Sequence, residues 1–430
     1  MTPLLAHEVF TPNGYPKHTY VQRDEAHHER LLRSWSESAG QIASVSGPSK
    51  AGKTVLVQRV VGLDNLITVS GASVRTPDQL WERVLDWAGE PHSTTASVAD
   101  TASEAEGRDR TVQLGFGGTG ASHKSGHLHT EGSGETMAAT VNRRGLPQVI
   151  AELAETPTTV LLDDFHYIPA AIQSEVAQQL KDAASRGLRI CVASVPHRAD
   201  NVVRALPELR GRVLAVDIDY WTKKDLLEIP KIGCALLGIN VDPVSLGMFA
   251  TEAAGSPQLM QSICHWLCNQ HEIRRTLTPS RAITLDDAQR RQILFLTCTA
   301  VDYRTFARAI VTGPKARPGE RKTYIHADGR KGDVYLTIVR AIAADPPRLT
   351  IPYAELQDRL KAVTKDEPPD GASVIGTLNK LNQIAQQNMP PTGPALEWDE
   401  QEQVVVVTDP YLLYYLRWST FLEKEAEVET

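Results

Sequence analysis

Gly47-Pro48-Ser49-Lys50-Ala51-Gly52-Lys53-Thr54 matches G-x-x-x-x-G-K-[ST] at every fixed position, between an apolar run at 42–45 and an amphipathic stretch that starts at Val55. Those residue types suit one chemistry. Glycines let the backbone curl until its N–H groups face an anion, and the helix that follows adds the positive end of its dipole. In such a loop Lys53 reaches the β- and γ-phosphates of a nucleoside triphosphate, and the Thr54 hydroxyl ligates Mg²⁺. The strand before it and the helix after it separate this reading from a glycine-rich surface turn.

A second chemical cluster lies at 158–164, where Thr158-Thr159-Val160-Leu161-Leu162 ends in Asp163-Asp164. A buried strand ending in acids is what the metal side of a phosphate site needs at the carboxyl edge of a parallel sheet. Asp163 is placed to hold Mg²⁺ or its water, and Asp164 to orient or deprotonate an attacking water. Alone the pattern also fits two turn-capping aspartates; the loop upstream gives it meaning. Further along, Ser194 or Arg198 is the candidate sensor of a γ-phosphate at the end of another strand, with a surface arginine as the alternative for Arg198. Arg210 and Arg212 either reach a neighbouring subunit's phosphate or sit in an exposed loop. His166 and His197 are secondary acid/base candidates, because the two aspartates already fill those roles.

These groups need a scaffold, and the chain offers one. Residues 43–212 alternate between strand and helix signals, with strands expected at 42–46, 66–70, 159–163, 189–194 and 213–218. Thr76-Pro77-Asp78-Gln79 offers an N-cap, a first-turn proline and a capping-box glutamine, and Gly187 closes a helix over 169–186. A doubly wound α/β domain follows. It is interrupted at 90–142 by a stretch rich in Gly, Ser, Thr and Ala, which reads equally as a β-hairpin arm (Val112, Leu114 and Phe116 alternate) or as a disordered linker. Its glycines at 115–120 lack the flanking strand and helix of a nucleotide fingerprint.

After 218 the chain turns helical, with a capping box at Thr222-Lys223-Lys224-Asp225 and Gly255-Ser256-Pro257 at a helix start. A run containing Arg304, Arg308, Lys315, Arg317, Arg321, Lys322, Arg330 and Lys331 leads to three expected helices, at 333–344, 352–363 and 372–387, and a hairpin at 395–407. That order is the winged-helix arrangement. The expected organisation is an N-terminal segment at 1–40, a core at 41–220 with its inserted arm, a helical lid at 221–290 and a winged-helix domain at 291–430.

Composition constrains the partners. The chain has 430 residues, 41% hydrophobic and 23% charged, with a formal charge of −7, which argues against wholesale coating of nucleic acid. No apolar run reaches the ~20 residues needed to span a bilayer and no signal-peptide core opens the chain, so a cytoplasmic location without membrane partners is expected. Cys191, Cys234, Cys264, Cys268 and Cys298 lie mostly in apolar surroundings and read as buried thiols rather than a zinc site.

Tyr20-Val21-x-Arg23, then GPSKAGKT at 47–54, VLLDDFH at 160–166, ASVPHR at 193–198 and GSPQL at 255–259 follow the order seen in the AAA+-related STAND ATPases and their origin-recognition-type relatives. Over 15–290 the chain resembles that group, and the winged helix is expected of it as well. The resemblance implies an α/β P-loop NTPase with a helical lid and a C-terminal winged helix, holding ATP or ADP with Mg²⁺. It further implies that Tyr20 and Val21 pack on adenine, that Arg198 senses the γ-phosphate and that Pro257 contacts the nucleotide. The second acid is Asp164 where AAA+ enzymes usually carry Glu, so slow turnover is expected, and the spacing before Arg198 is slightly longer than in the NB-ARC branch.

Two functions compete at this point, with a non-hydrolysing scaffold a third that the intact Lys53, Thr54, Asp163 and Asp164 disfavour. One is a nucleotide switch that oligomerises with itself or engages a separate effector or sensor protein in its ATP state, in signalling or, as often with bacterial STAND proteins, in defence against phage. The sequence has no repeat array at a regular period, so partner recognition is expected from another chain or from the arm and winged-helix regions. The other is a DNA-associated ATPase that assembles on duplex through its winged helix. The expected third helix carries Lys380 and no arginine, a poor surface for phosphate or base.

Overall fold

The computed structural model describes residues 3–23, 27–38, 40–89, 93–97, 138–142, 145–154, 156–195, 211–300, 302–314, 321–388 and 394–426. Its centre is a parallel sheet of β1 (Ile42–Ser46), β2 (Leu66–Ser70), β3 (Thr159–Asp163), β4 (Arg189–Ser194) and β5 (Val213–Asp217), in the order β2-β3-β4-β1-β5. The composition of each strand follows its place. β1, β3 and β4 lie inside the sheet, covered on both faces, and are buried along almost their whole length; β2 and β5 form the edges and alternate. Register brings Ser70 level with Asp163 and Ser46 level with Ser194 and Asp217, so the strands end along one carboxyl edge.

Helices cover both faces. On one lie α1 (His28–Ser36), which buries Leu32 and Trp35, and α2 (Lys53–Val61), which buries Leu56 and Val57. On the other lie α3 (Pro77–Trp87), α4 (Leu146–Leu153) and α5 (Ala170–Ser185). α5 ends at Gly187 (φ 93°), whose N–H reaches the Ala184 carbonyl while that of Leu188 reaches Ala183. The capping box expected at α3 does not form. The Thr76 side chain caps nothing, and the Gln79 side-chain oxygen accepts instead from the Arg75 N–H at 2.8 Å, one residue earlier. Ser93–Ser97 and Ala138–Asn142 pair antiparallel, so the inserted arm has a hairpin base; Val112, Leu114, Phe116 and the glycines at 115–120 lie outside the described residues.

From 223 onward the chain is mostly helical: α6 (Lys223–Leu237), α7 (Pro243–Glu252), α8 (Pro257–Gln270), α9 (Asp287–Cys298) and α10 (Arg304–Thr312). The Thr222–Asp225 capping box forms in both directions at 3.2 and 3.1 Å. There follow α11 (Val334–Ile342), β6 (Thr350–Pro352), α12 (Tyr353–Val363), α13 (Gly371–Gln387), β7 (Leu396–Asp399), β8 (Val404–Val407) and α14 (Pro410–Trp418), with β8 paired antiparallel to both β6 and β7. One apolar cluster runs through all of these helices and takes in Ala6, Val9 and Phe10 from the N-terminal segment. All five cysteines are buried and reduced, and burial raises their thiols above the ordinary range. Among the described residues no helix is long and apolar enough to cross a membrane.

Candidate functional site

The loop between β1 and α2 is bent by conformations that most side chains avoid. Gly52 has φ 96° and Lys50 φ 62°. At Gly47 the backbone runs so close to Ile218 that a Cβ would lie 2.7 Å from its carbonyl oxygen. α2 begins at Lys53, so the N–H groups of Lys53, Thr54 and Val55 belong to the first turn, where a helix supplies no internal partner. Lys53 is 8% exposed, and its ammonium donates to the Gly47 and Pro48 carbonyls at 2.9 and 2.8 Å. Burial lowers its pKa, opposed by Asp163 and Asp164.

Sheet order delivers the acids. β4 separates β1 from β3, yet the common carboxyl edge brings Asp163 to α2, where the Thr54 hydroxyl donates to its Oδ2 at 2.6 Å. Asp164 is left-handed (φ 57°), and burial together with the Asp163 carboxylate pushes it up to about 6. Gly71, just past β2, permits this turn: a Cβ there would lie 2.3 Å from the Asp164 carbonyl oxygen. Ser194 ends β4 between the loop and Asp163; it is 1% exposed, its carbonyl accepts from the Gly47 N–H at 3.2 Å, and its hydroxyl has no hydrogen-bond partner among the described residues. His166 lies two residues beyond Asp164, buried with its ring against Tyr167.

A cavity of about 490 Å³ opens over the loop. Lys50, Gly52, Lys53, Thr54, Asp163 and Asp164 form its polar end; Tyr15, Tyr20, Val21, Ile229 and Pro257 give the other end aromatic and aliphatic walls. Tyr20 donates to Glu29 at 2.7 Å, faces Tyr15 and lies 5.1 Å from the Arg59 guanidinium. Burial and Glu29 raise its phenol well above the ordinary value. Pro257 opens α8 behind Ser256, whose side chain caps the Leu259 N–H at 3.2 Å. The Gln261 side chain of α8 accepts from the Thr11 N–H at 3.2 Å and donates to Thr19 at 2.7 Å, strapping the N-terminal segment to α8.

The structure therefore brings together the loop residues, Thr54, Asp163, Asp164, Tyr20, Val21 and Pro257. Arg198, His197 and Arg210 lie outside the described residues; Arg212 is exposed just before β5. No motif marks Glu29 and Trp221, which line the cavity, or Arg59 and Gly71, which pack on Tyr20 and on the Asp164 backbone; only tertiary folding brings them there. The donor set fits a magnesium–nucleotide ligand: a hydroxyl and a carboxylate 2.6 Å apart are the oxygens a hard divalent cation takes, and a buried ammonium resting on neutral carbonyls retains capacity for an anion.

No protein-family model matches the chain, and comparison with the curated proteins finds no match. Solved structures do resemble it. The Walker-type ATPase Paby2304 of Pyrococcus abyssi matches at TM-score 0.50 and 12% identity, covering 92% of this chain and 96% of that one. The Aeropyrum pernix ORC2 protein in its ADPNP–ADP complexes gives 0.47 and 12%, covering 97% and 98%. Cdc6p from Pyrobaculum aerophilum gives 0.42 and 14%, also covering 97% and 98%. At such identities the likeness is one of fold. The five-stranded parallel sheet with its loop at the carboxyl end of β1 is an α/β P-loop NTPase architecture.

Proposed function

We propose that the chain binds ATP and ADP with Mg²⁺ in this cavity, hydrolyses ATP slowly, and uses the difference between the two as a conformational switch. The observation that carries the reading is the Thr54–Asp163 contact beside the cradled Lys53, inside a cavity whose far wall is the start of α8. Lys53 offsets phosphate charge, and Thr54 and Asp163 are the residues to hold the metal, which supplies electrostatic stabilisation of the transferred phosphoryl group when bound. Asp164 positions or deprotonates water. Tyr20, Val21 and Pro257 form the adenine wall, and Arg198 is assigned in this reading to the γ-phosphate.

A switch needs contacts that differ between two ligands and an element that responds. Lys53, Asp163 and Arg198 supply γ-phosphate contacts only with the triphosphate. The responding element is the lid. Glu252, at the end of α7, is 6% exposed and pairs at 2.8 Å with Arg417 of α14, 9% exposed, while Trp418 donates to the same carboxylate. Any rotation of the lid must carry the C-terminal elements with it or break this pair. In this reading the ATP state is the one that self-associates or engages an effector or sensor protein, with Arg212 facing the neighbouring subunit.

The elements α11, β6, α12, α13, β7 and β8 are consistent with a winged helix, which favours the DNA-associated alternative. That alternative carries less weight because Arg308, Arg321 and Arg330 of the basic stretch are occupied by Glu425, Asp333 and Asp328. Lys53→Ala tests the main reading: ATP and ADP affinity are expected to fall about 100-fold with the fold intact. Unchanged affinity and turnover in that variant would remove it, and a salt-dependent mobility shift of duplex DNA by the wild type would promote the alternative.

A further inference from the structure

We propose that Trp221 is a positioning residue for phosphate binding: by anchoring the Ala51 carbonyl it turns the Gly52 N–H toward the interior of the phosphate loop. The proposal rests on the nucleotide reading above. Trp221 follows β5, lines the cavity, and donates its indole N–H to the Ala51 carbonyl at 2.9 Å. In a planar trans peptide the carbonyl of one residue and the N–H of the next point in opposite directions. Holding the Ala51 oxygen on the indole therefore sets the direction of the Gly52 N–H. Gly52 most needs such a restraint, because at φ 96° it has no side chain to limit its backbone.

Trp221 is itself held at two further points, one on its ring and one on its backbone. The Arg23 guanidinium lies 5.1 Å from the centre of its ring and donates to the Asp219 carbonyl at 3.2 Å. The Trp221 backbone N–H donates to the Gly255 carbonyl at 3.2 Å. Gly255 tolerates this approach for want of a Cβ, which would lie 3.0 Å from that of Tyr220. Gly255 leads into Ser256 and Pro257, and a Cβ on Gly52 would lie 4.0 Å from the Pro257 ring. One residue thus touches the phosphate loop through its side chain and the turn before α8 through its backbone. Apolar packing alone would account for the ring; it does not require the indole N–H to meet a loop carbonyl.

Trp221→Phe separates the two roles, since it keeps an aromatic ring and deletes the donor. Binding of ADP, inorganic pyrophosphate and adenosine to the full chain is measured calorimetrically for wild type and variant. ADP and pyrophosphate are expected to bind about fivefold more weakly to the variant, with adenosine unchanged. An equal loss for adenosine makes Trp221 a packing residue and overturns the proposal, as does no loss for any ligand. If the wild type binds neither ADP nor pyrophosphate, the nucleotide reading falls first. A readout independent of the variant's folding is the Trp221 indole N–H resonance of the ¹⁵N-labelled wild type. It is expected to shift with pyrophosphate and not with adenosine; an indole signal unmoved by pyrophosphate overturns the proposal.

Discussion

Asp164 combines an unfavoured backbone conformation with a carboxyl whose charge is disfavoured. It carries a left-handed backbone, and burial with Asp163 beside it pushes its carboxyl up to about 6. A raised carboxyl pKa means that the folded state holds the proton more tightly than the unfolded chain does. Stability is therefore lost as pH rises from about 4 to about 6, and the loss is complete above that. Asp164→Asn removes the penalty. Without nucleotide or metal, the variant's thermal midpoint is expected about 1–3 °C above wild type at pH 8 and level with it near pH 4. Under the proposed function, the same substitution should leave ATP bound yet slow its hydrolysis about 100-fold, because a carboxylate that positions water matters more in the transition state than in the ground state. Wild-type turnover in this variant would transfer the role to another group, with His166 next in chain order.

At the scale of elements, the carboxyl edge of the sheet decides what can meet. β2 ends level with β3, and the turn after β2 passes under the Asp163–Asp164 turn with only a hydrogen at Gly71 to spare. Gly71→Ala places a methyl group against backbone atoms, which cannot swing aside as a flexible side chain would. The expected cost is about 1–3 kcal/mol in unfolding free energy. Because β3 and β4 lie between β2 and the loop at β1, kcat is expected, under the proposed function, to fall more than ADP affinity. Equal losses in both would mean that the distortion spreads through β4 to the loop, and a neutral substitution would contradict the packing described here.

At the scale of the whole molecule, helices α6–α9 and the C-terminal elements share one apolar cluster, and the Glu252–Arg417 pair joins α7 to α14. Arg417 also reaches the Ala343 carbonyl and Asp345 at 2.5 and 2.6 Å, so its hydrogen bonds join three elements. Hydrogen bonding to the two carboxylates raises its pKa despite burial. Arg417→Met leaves Glu252 buried without its cation and is expected to cost about 3–5 kcal/mol, measured by denaturant unfolding. Changing Glu252 to Met as well should recover most of that stability while loosening the junction. Under the switch reading the double variant still binds ATP, but the change in sedimentation between its ADP and ATP-analogue states is reduced. An undiminished change would show that the junction does not transmit the nucleotide state.

The loop at 47–54, the acids at 163–164, the sheet strands and the Thr222 cap were legible because each is a local statement. Glycine at forced dihedrals, a buried apolar run ended by carboxylates, and a hydroxyl three residues before its partner are decided within a few residues of chain. Strand order is different in kind. That β4 lies between β1 and β3, so that Ser194 stands between the loop and the acids, depends on which strands pair, and pairing energy has no signature in a short window. The same holds for Glu29 at Tyr20, Gly71 under Asp164, Trp221 on Ala51 and Arg417 on Glu252, whose partners lie 9 to 170 residues away along the chain. The failed cap at Thr76 is the exception to this division: the residue types for a box stood within four residues, but the Gln79 side chain took the Arg75 N–H instead. Chemistry that a few neighbouring residues complete among themselves can be read from order and type; chemistry that needs two distant segments to meet exists only once the apolar surfaces of sheet, helices and lid have been buried against one another.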